Sequence, residues 1–265
     1  MAGWCSEICE TNGIRMHYTR TGGGKPAVVL LHGLAANGLC WTAIAQALEG
    51  EYDVIMPDLR GHGKSSAPEH GYRYEDHARD IAGLVNGLGI APAVMIGHSM
   101  GGLAAAVVAS QSPELTRGLV LADPTFISAE RQRAVRDSDV ADQHRRILAR
   151  SLEEVVQELH SRHPERALST VELIARARLE TRLSAFEVLT PPNPEYAQLV
   201  RTLGVPSCLV IGDAGVVSAE LAVELQTVNP KLQVAQIKAA GHGIFYDQPG
   251  QFSAVVKSFL HTIDN

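Results

Sequence analysis

"VMIGHSMGGLAAAVVAS", residues 94–110, passes from an apolar β-type run through Gly-x-Ser-x-Gly into an alanine-rich helical run. Gly97-His98-Ser99-Met100-Gly101 sets the serine on a tight strand-to-helix turn, and glycines two positions to either side leave room for the close backbone approach that turn needs. A serine so placed stands at the carboxyl edge of a sheet, where ligands bind in open α/β folds. The N–H of Met100 falls at a helix N-terminus, where the dipole favours negative charge. The pentapeptide alone also fits an ordinary Gly-Ser turn. The strand before it and the helix after it make Ser99 a candidate nucleophile.

On both sides of this unit, short apolar runs alternate with helical stretches. "AVVLLHG" (27–33) reads as a strand, followed by a helix over 41–48. "YDVIMPD" (52–58) is a strand and 74–88 a helix. "GLVLAD" (118–123), "PSCLVIG" (206–212) and "LQVAQIK" (232–238) are strands, with helices over 219–228 and from about 249 to 260. Near-continuous apolar strands separated by helices predict a parallel sheet covered on both faces. At the start, "EICETNGIRMHYTRTGGG" reads as two strands joined at Asn12-Gly13, a favoured hairpin turn. Residues 124–203 break the rhythm. They hold no strand-like run, balance arginine against acidic residues, and carry Leu, Val and Ala at helical spacing, as in "SLEEVVQELHSRHP". The division expected is a core of residues 1–123 and 204–265, with 124–203 a helical cap inserted into it.

At 265 residues, 45% of them hydrophobic and 20% charged, the chain reads as globular. The net charge of −6 comes without any basic run, so no nucleic-acid partner is expected. Apolar runs such as Ala27–Leu31 are far too short to cross a bilayer. "MAGWCSEICE" lacks a cationic start followed by an apolar block, so no signal peptide is expected. Cys5 and Cys9 have no second pair to complete a metal site. With Cys40 and Cys208 they read as free thiols in a reducing cytoplasm.

"LLHGLAANGLCW", "MPDLRGHGKSSAP", "IGHSMGG" and "AAGHGIFYDQP", in this order over nearly the whole length, resemble the α/β-hydrolase superfamily. The resemblance implies a mostly parallel eight-stranded sheet with helices on both faces and a helical cap after the sixth strand. It implies that His242, between the last strand and the last helix, is the base for Ser99. It also implies an oxyanion hole from the N–H groups of Leu34 and Met100, which suits acyl transfer. His32 and His62 are then structural, bracing their loops. "RGHGKS" is not a phosphate cradle, because a Walker A match would need glycine where Asp58 stands. Gly33 and Phe126 are candidate pocket residues, Phe126 serving equally well as core packing.

The acid that orients His242 has two candidates. The family's usual position, after the seventh strand in "IGDAGVVS", falls on Gly215, and Asp213 comes two residues too early. Asp123, ending the sixth strand in "RGLVLADPTF", matches the position used by some subgroups, among them zearalenone-type lactonases and cofactor-free quinolone dioxygenases. Asp123 is favoured. The implied activity is a cofactor-free, metal-free serine hydrolase acting on an apolar carboxylic ester or lactone, by an acyl-enzyme on Ser99. A cofactor-free dioxygenase using the His–Asp pair, and a triad-retaining ligand receptor, are the alternatives.

Overall fold

The computed structural model describes residues 3–264. Met1, Ala2 and Asn265, the outermost residues of the expected core, lie outside that range. In chain order the elements are β1 (Cys5–Thr11), β2 (Ile14–Arg20), β3 (Ala27–Leu31), α1 (Thr42–Leu48), β4 (Asp53–Pro57), α2 (Tyr74–Gly87), β5 (Ala93–His98), α3 (Met100–Gln111) and β6 (Thr116–Ala122). Five helices follow: α4 (Ala129–Arg136), α5 (Val140–Leu148), α6 (Leu152–Arg162), α7 (Leu168–Glu180) and α8 (Tyr196–Thr202). The sheet resumes with β7 (Ser207–Ala214), α9 (Ala219–Val228), β8 (Gln233–Gly241), α10 (Ile244–Asp247) and α11 (Pro249–Asp264).

The eight strands form one sheet in the order β1-β2-β4-β3-β5-β6-β7-β8. The β1–β2 hairpin is antiparallel, β2 joins β4 antiparallel, and every pairing from β4 to β8 is parallel. The hairpin turns where the sequence predicts, with Thr11 opposite Ile14 and both turn residues at positive φ, Asn12 at 44° and Gly13 at 76°.

Alternation along the strands builds the two faces. Val29 and Leu31 pack with the α2–α3 layer, while Val28 and Leu30 pack with Trp41, Phe252 and Val256 on the α1–α11 side. These aliphatic side chains are fully buried, each contributing roughly 1.5–3 kcal/mol. Residues 124–203, all described, contain helices and no strand. Their α6 and α7 bury Val155, Leu159, Val171 and Ile174 against Ala36 and Cys40 of the segment after β3. The inserted helices are thereby fixed above the carboxyl edge of the central strands. α6 begins with a capping box, Ser151 and Glu154 each satisfying the other's backbone N–H. No helix among the described residues is long and apolar enough to cross a membrane.

Candidate active site

Ser99 sits between β5 and α3 with φ 51° and ψ −116°, a conformation few side-chain-bearing residues adopt. The sequence forces it from both sides. A Cβ on Gly97 would strike the Gly101 carbonyl, and one on Gly101 would strike the carbonyls of Leu31 and His32. Only glycine lets α3 start this close to β3 and β5. The turn is pinned by Ser99 N–H donating to the Ala122 carbonyl at 3.1 Å and by Thr125 N–H donating to the Ser99 carbonyl at 3.1 Å. Such strain costs on the order of 1–3 kcal/mol and persists because the surroundings over-determine it.

His242 follows the last residue of β8. Its Nε2 lies 3.0 Å from Ser99 Oγ and its Nδ1 lies 2.5 Å from Asp123 Oδ2. Asp123 is fully buried at the end of β6, with φ 43°. Besides His242, its carboxylate accepts from the N–H groups of Val216 (2.8 Å) and Val217 (2.9 Å). Asp213 is turned elsewhere. The β7–β8 register shifts between Gly212 and Ala214, and the Asp213 carboxylate accepts from Gln236 Nε2 (3.0 Å) and the Ala239 N–H (2.7 Å). At Gly215, a Cβ would stand 2.6–2.8 Å from the Asp123 carboxyl atoms. The absent side chain at that position leaves the space that the Asp123 carboxylate fills.

The loop after β3 is braced by neutral histidines. His32 Nδ1–H donates to the Gly33 carbonyl (2.8 Å), and its Nε2 accepts from Leu59 N–H (2.9 Å). His62 Nδ1–H donates to the Arg60 carbonyl (2.9 Å), and its Nε2 accepts from Ala35 N–H (3.2 Å). Asp58 ties down the "RGHGKS" loop, accepting from Lys64 N–H and Gly38 N–H. Leu34 and Met100 both border Ser99, and Met100 opens α3, so its N–H has no partner within the helix. Gly33 packs under the turn, where a Cβ would lie 3.1 Å from Ser99 Cβ.

His98, the residue before Ser99, occupies a position that the Gly-x-Ser-x-Gly pattern leaves free. Its Nε2–H donates to the His242 carbonyl at 2.8 Å, and its buried Nδ1 has no partner among the described residues. Burial, followed by the neighbouring His242, pushes the His98 pKa down to about 3, and burial with His32 does the same to His62. The unfolded chain therefore binds protons below about pH 6.5 that the fold refuses, and stability present above that pH is lost as pH falls. From pH 7 to pH 5 each ring should subtract about 2 kcal/mol, roughly 4 kcal/mol together. Urea unfolding at the two pH values measures this, and an equal or greater stability at pH 5 would contradict it.

Two cavities meet at Ser99. The smaller, about 240 Å³, is walled mainly by apolar groups such as Ile127, Val135, Val188 and Leu189. The larger, about 510 Å³, runs under α5–α7 and adds His144, His163, Arg166, Arg178 and Tyr246. Phe126 lines neither. It is 1% exposed and stacks on Tyr196 with ring centroids 5.3 Å apart. Its neighbours Thr125 and Ile127 face the smaller cavity, so the residue between them points back into the core. Thr125 Oγ1 also lies 3.3 Å from Ser99 Oγ, a contact no sequence pattern announces. His163, Glu165 and Asp247 have ligand atoms within 4.8 Å of one another. The Arg166 guanidinium already occupies Asp247 at 2.7 Å and lies 3.9 Å from Glu165, so a metal ion there would have to displace an arginine.

The eight-stranded, mostly parallel sheet and the strand–turn–helix at Ser99 are those of an alpha/beta hydrolase fold. Residues 26–249 match the family model of the alpha/beta hydrolase fold, and the chain belongs to that family of hydrolases. It is 29% identical over 257 residues to N-formylmaleamate deformylase of Pseudomonas putida, covering 95% of this chain and 94% of that one. It is 28% identical over 251 residues to the sn-1-specific diacylglycerol lipase of Mus musculus, covering 89% and 81%. Among solved structures, E-2-(acetamidomethylene)succinate hydrolase superposes with a TM-score of 0.84 at 24% identity over 97% of this chain and 99% of the other, a likeness of fold.

Proposed function

We propose that this hydrolase cleaves a small-molecule carboxylic ester or lactone through an acyl-enzyme on Ser99. The observation that carries the reading is the continuous path from Ser99 Oγ to His242 Nε2 (3.0 Å) and from His242 Nδ1 to Asp123 (2.5 Å). His242 takes the Ser99 proton as Oγ attacks the carbonyl, then gives it to the leaving oxygen. The N–H groups of Leu34 and Met100 hold the developing oxyanion. Water, deprotonated by His242, then releases the acid. Asp123 keeps the proton of His242 on Nδ1 and stabilises the imidazolium. These groups supply every proton transfer, so no cofactor is invoked.

The helices over 124–203 act as the cap that walls the two cavities and selects what enters. The same acyl-enzyme chemistry covers an N-acyl bond, a second reading favoured by the match to a deformylase along nearly the whole chain. We assign the protein to the reducing cytoplasm, which suits its four free cysteines. The test is a panel of p-nitrophenyl esters, lactones and N-formyl compounds of rising size, combined with fluorophosphonate labelling and peptide mass mapping. A phosphonyl adduct on Ser99, with hydrolysis lost on labelling, is the expected result. A label on another residue, or full turnover after labelling, would overturn the mechanism.

A further inference from the structure

We infer that the substrate carries a free carboxylate, held by Arg178 in the larger cavity. The inference rests on the serine-hydrolase reading above and names the substrate class that reading leaves open.

Arg178 stands in the last turn of α7, one helical turn beyond Ile174, and both side chains line the cavity that contains Ser99 and His242. Its guanidinium makes neither a hydrogen bond nor an ion pair among the described residues. The charged groups around it are committed to one another. Arg166 is bound to Asp247 by Nε at 2.8 Å and Nη2 at 2.7 Å, and Asp247 also accepts from Gly241 N–H. Arg150 and Arg162 both contact Glu158. Glu180, two residues further on, accepts from Asn37. Glu158 attracts Arg178 only at longer range, being held by Arg150 and Arg162, so Arg178 is left without a salt-bridge partner of its own. Burial, then Arg162, pushes its pKa below the ordinary arginine value, although a guanidinium stays protonated in proteins.

A cation in the last turn of a helix gains a little from the helix dipole. That accounts for an exposed arginine better than for one withdrawn into a cavity, where an unpaired charge is costly. A ligand carboxylate would meet the guanidinium fork in the bidentate geometry that suits both. One guanidinium without an ion-pair partner matches one carboxylate, and Asp247 in the same wall disfavours a doubly charged phosphate. The scissile carbonyl at Ser99 would then have an apolar arm in the smaller cavity and an acid-bearing arm in the larger.

Two esters that differ only in that charge make the test: mono-p-nitrophenyl adipate and its methyl ester. Wild type should favour the free acid in kcat/KM, and Arg178→Gln should lower the acid-to-methyl-ester ratio by about 10–100-fold, as expected for a lost hydrogen bond to a charged group. Arg178→Lys should recover part of the ratio. A readout independent of turnover is thermal unfolding with adipate, which should raise the melting temperature of wild type and not of Arg178→Gln. Equal rates on the two esters, a ratio unchanged in Arg178→Gln, or no adipate shift in wild type would each overturn the inference while leaving Ser99 in place. Hydrolysis persisting in Ser99→Ala would instead overturn the mechanism beneath it.

Discussion

Ser99→Ala is expected to lower turnover by about 10⁶-fold, and His242→Ala by a similar factor. The double variant should be no worse than either single one, because Oγ and Nε2, 3.0 Å apart, act as a unit. The strained backbone supplies a control. Ser99→Gly relieves the φ 51° conformation and should be as inactive as Ser99→Ala while more stable by about 1–2 kcal/mol. Steady-state kinetics with thermal unfolding reads both effects. Turnover in Ser99→Ala at a tenth of wild type would sink the serine mechanism, whatever the stability measurements gave.

Asp123→Asn is expected to lower turnover by about 10⁴-fold, the factor seen when the triad aspartate of a serine protease becomes asparagine. The cause is legible in the contacts. Val216 N–H, Val217 N–H and His242 Nδ1–H all donate to Asp123. Val216 and His242 share Oδ2 while Val217 meets Oδ1, so an amide must turn its NH₂ either towards Val216 and His242 together or towards Val217. In the first orientation it stabilises the wrong tautomer and deprives Val216 N–H of its acceptor, and in the second it leaves the buried Val217 N–H without one. Asp213→Asn should stay within about threefold of wild type, since surface hydrogen bonds to Gln236 and Ala239 are all it disturbs. If Asp213→Asn is the more damaging of the two, the acid assigned here is wrong.

The strand–turn–helix around Ser99 and the hairpin at Asn12-Gly13 were legible because each is a local pattern with a steric or periodic cause, whereas His242 stood out only through the resemblance to the α/β-hydrolase superfamily. The family's usual acid position falling on Gly215 favoured Asp123 over Asp213, although the register shift that turns Asp213 away has no sequence mark. Phe126 was not assignable, because its direction depends on Tyr196, some seventy residues later and packed against it only in three dimensions. Arg178 carries a signal of its own in the sequence. Val171, Ile174, Ala175 and Arg178 fall at the spacing of one helix face, and a lone charge on an otherwise apolar stripe asks for a partner. The cavity walls lie beyond such reading, since α5, α6 and α7 meet the sheet edge through contacts set by the whole fold.

Gly215 and Asp123 claim one volume, and that bears on how such a site can change by descent. With a side chain at 215 placed 2.6 Å from Asp123 Oδ1 at its first carbon, this backbone has no room for acids at both strand ends together. A lineage moving its acid from one strand to the other by single replacements would pass through a form with two colliding carboxylates or through a form with none. Both intermediates are crippled, so the location of the acid behaves as an inherited trait separated from its alternative by a fitness valley.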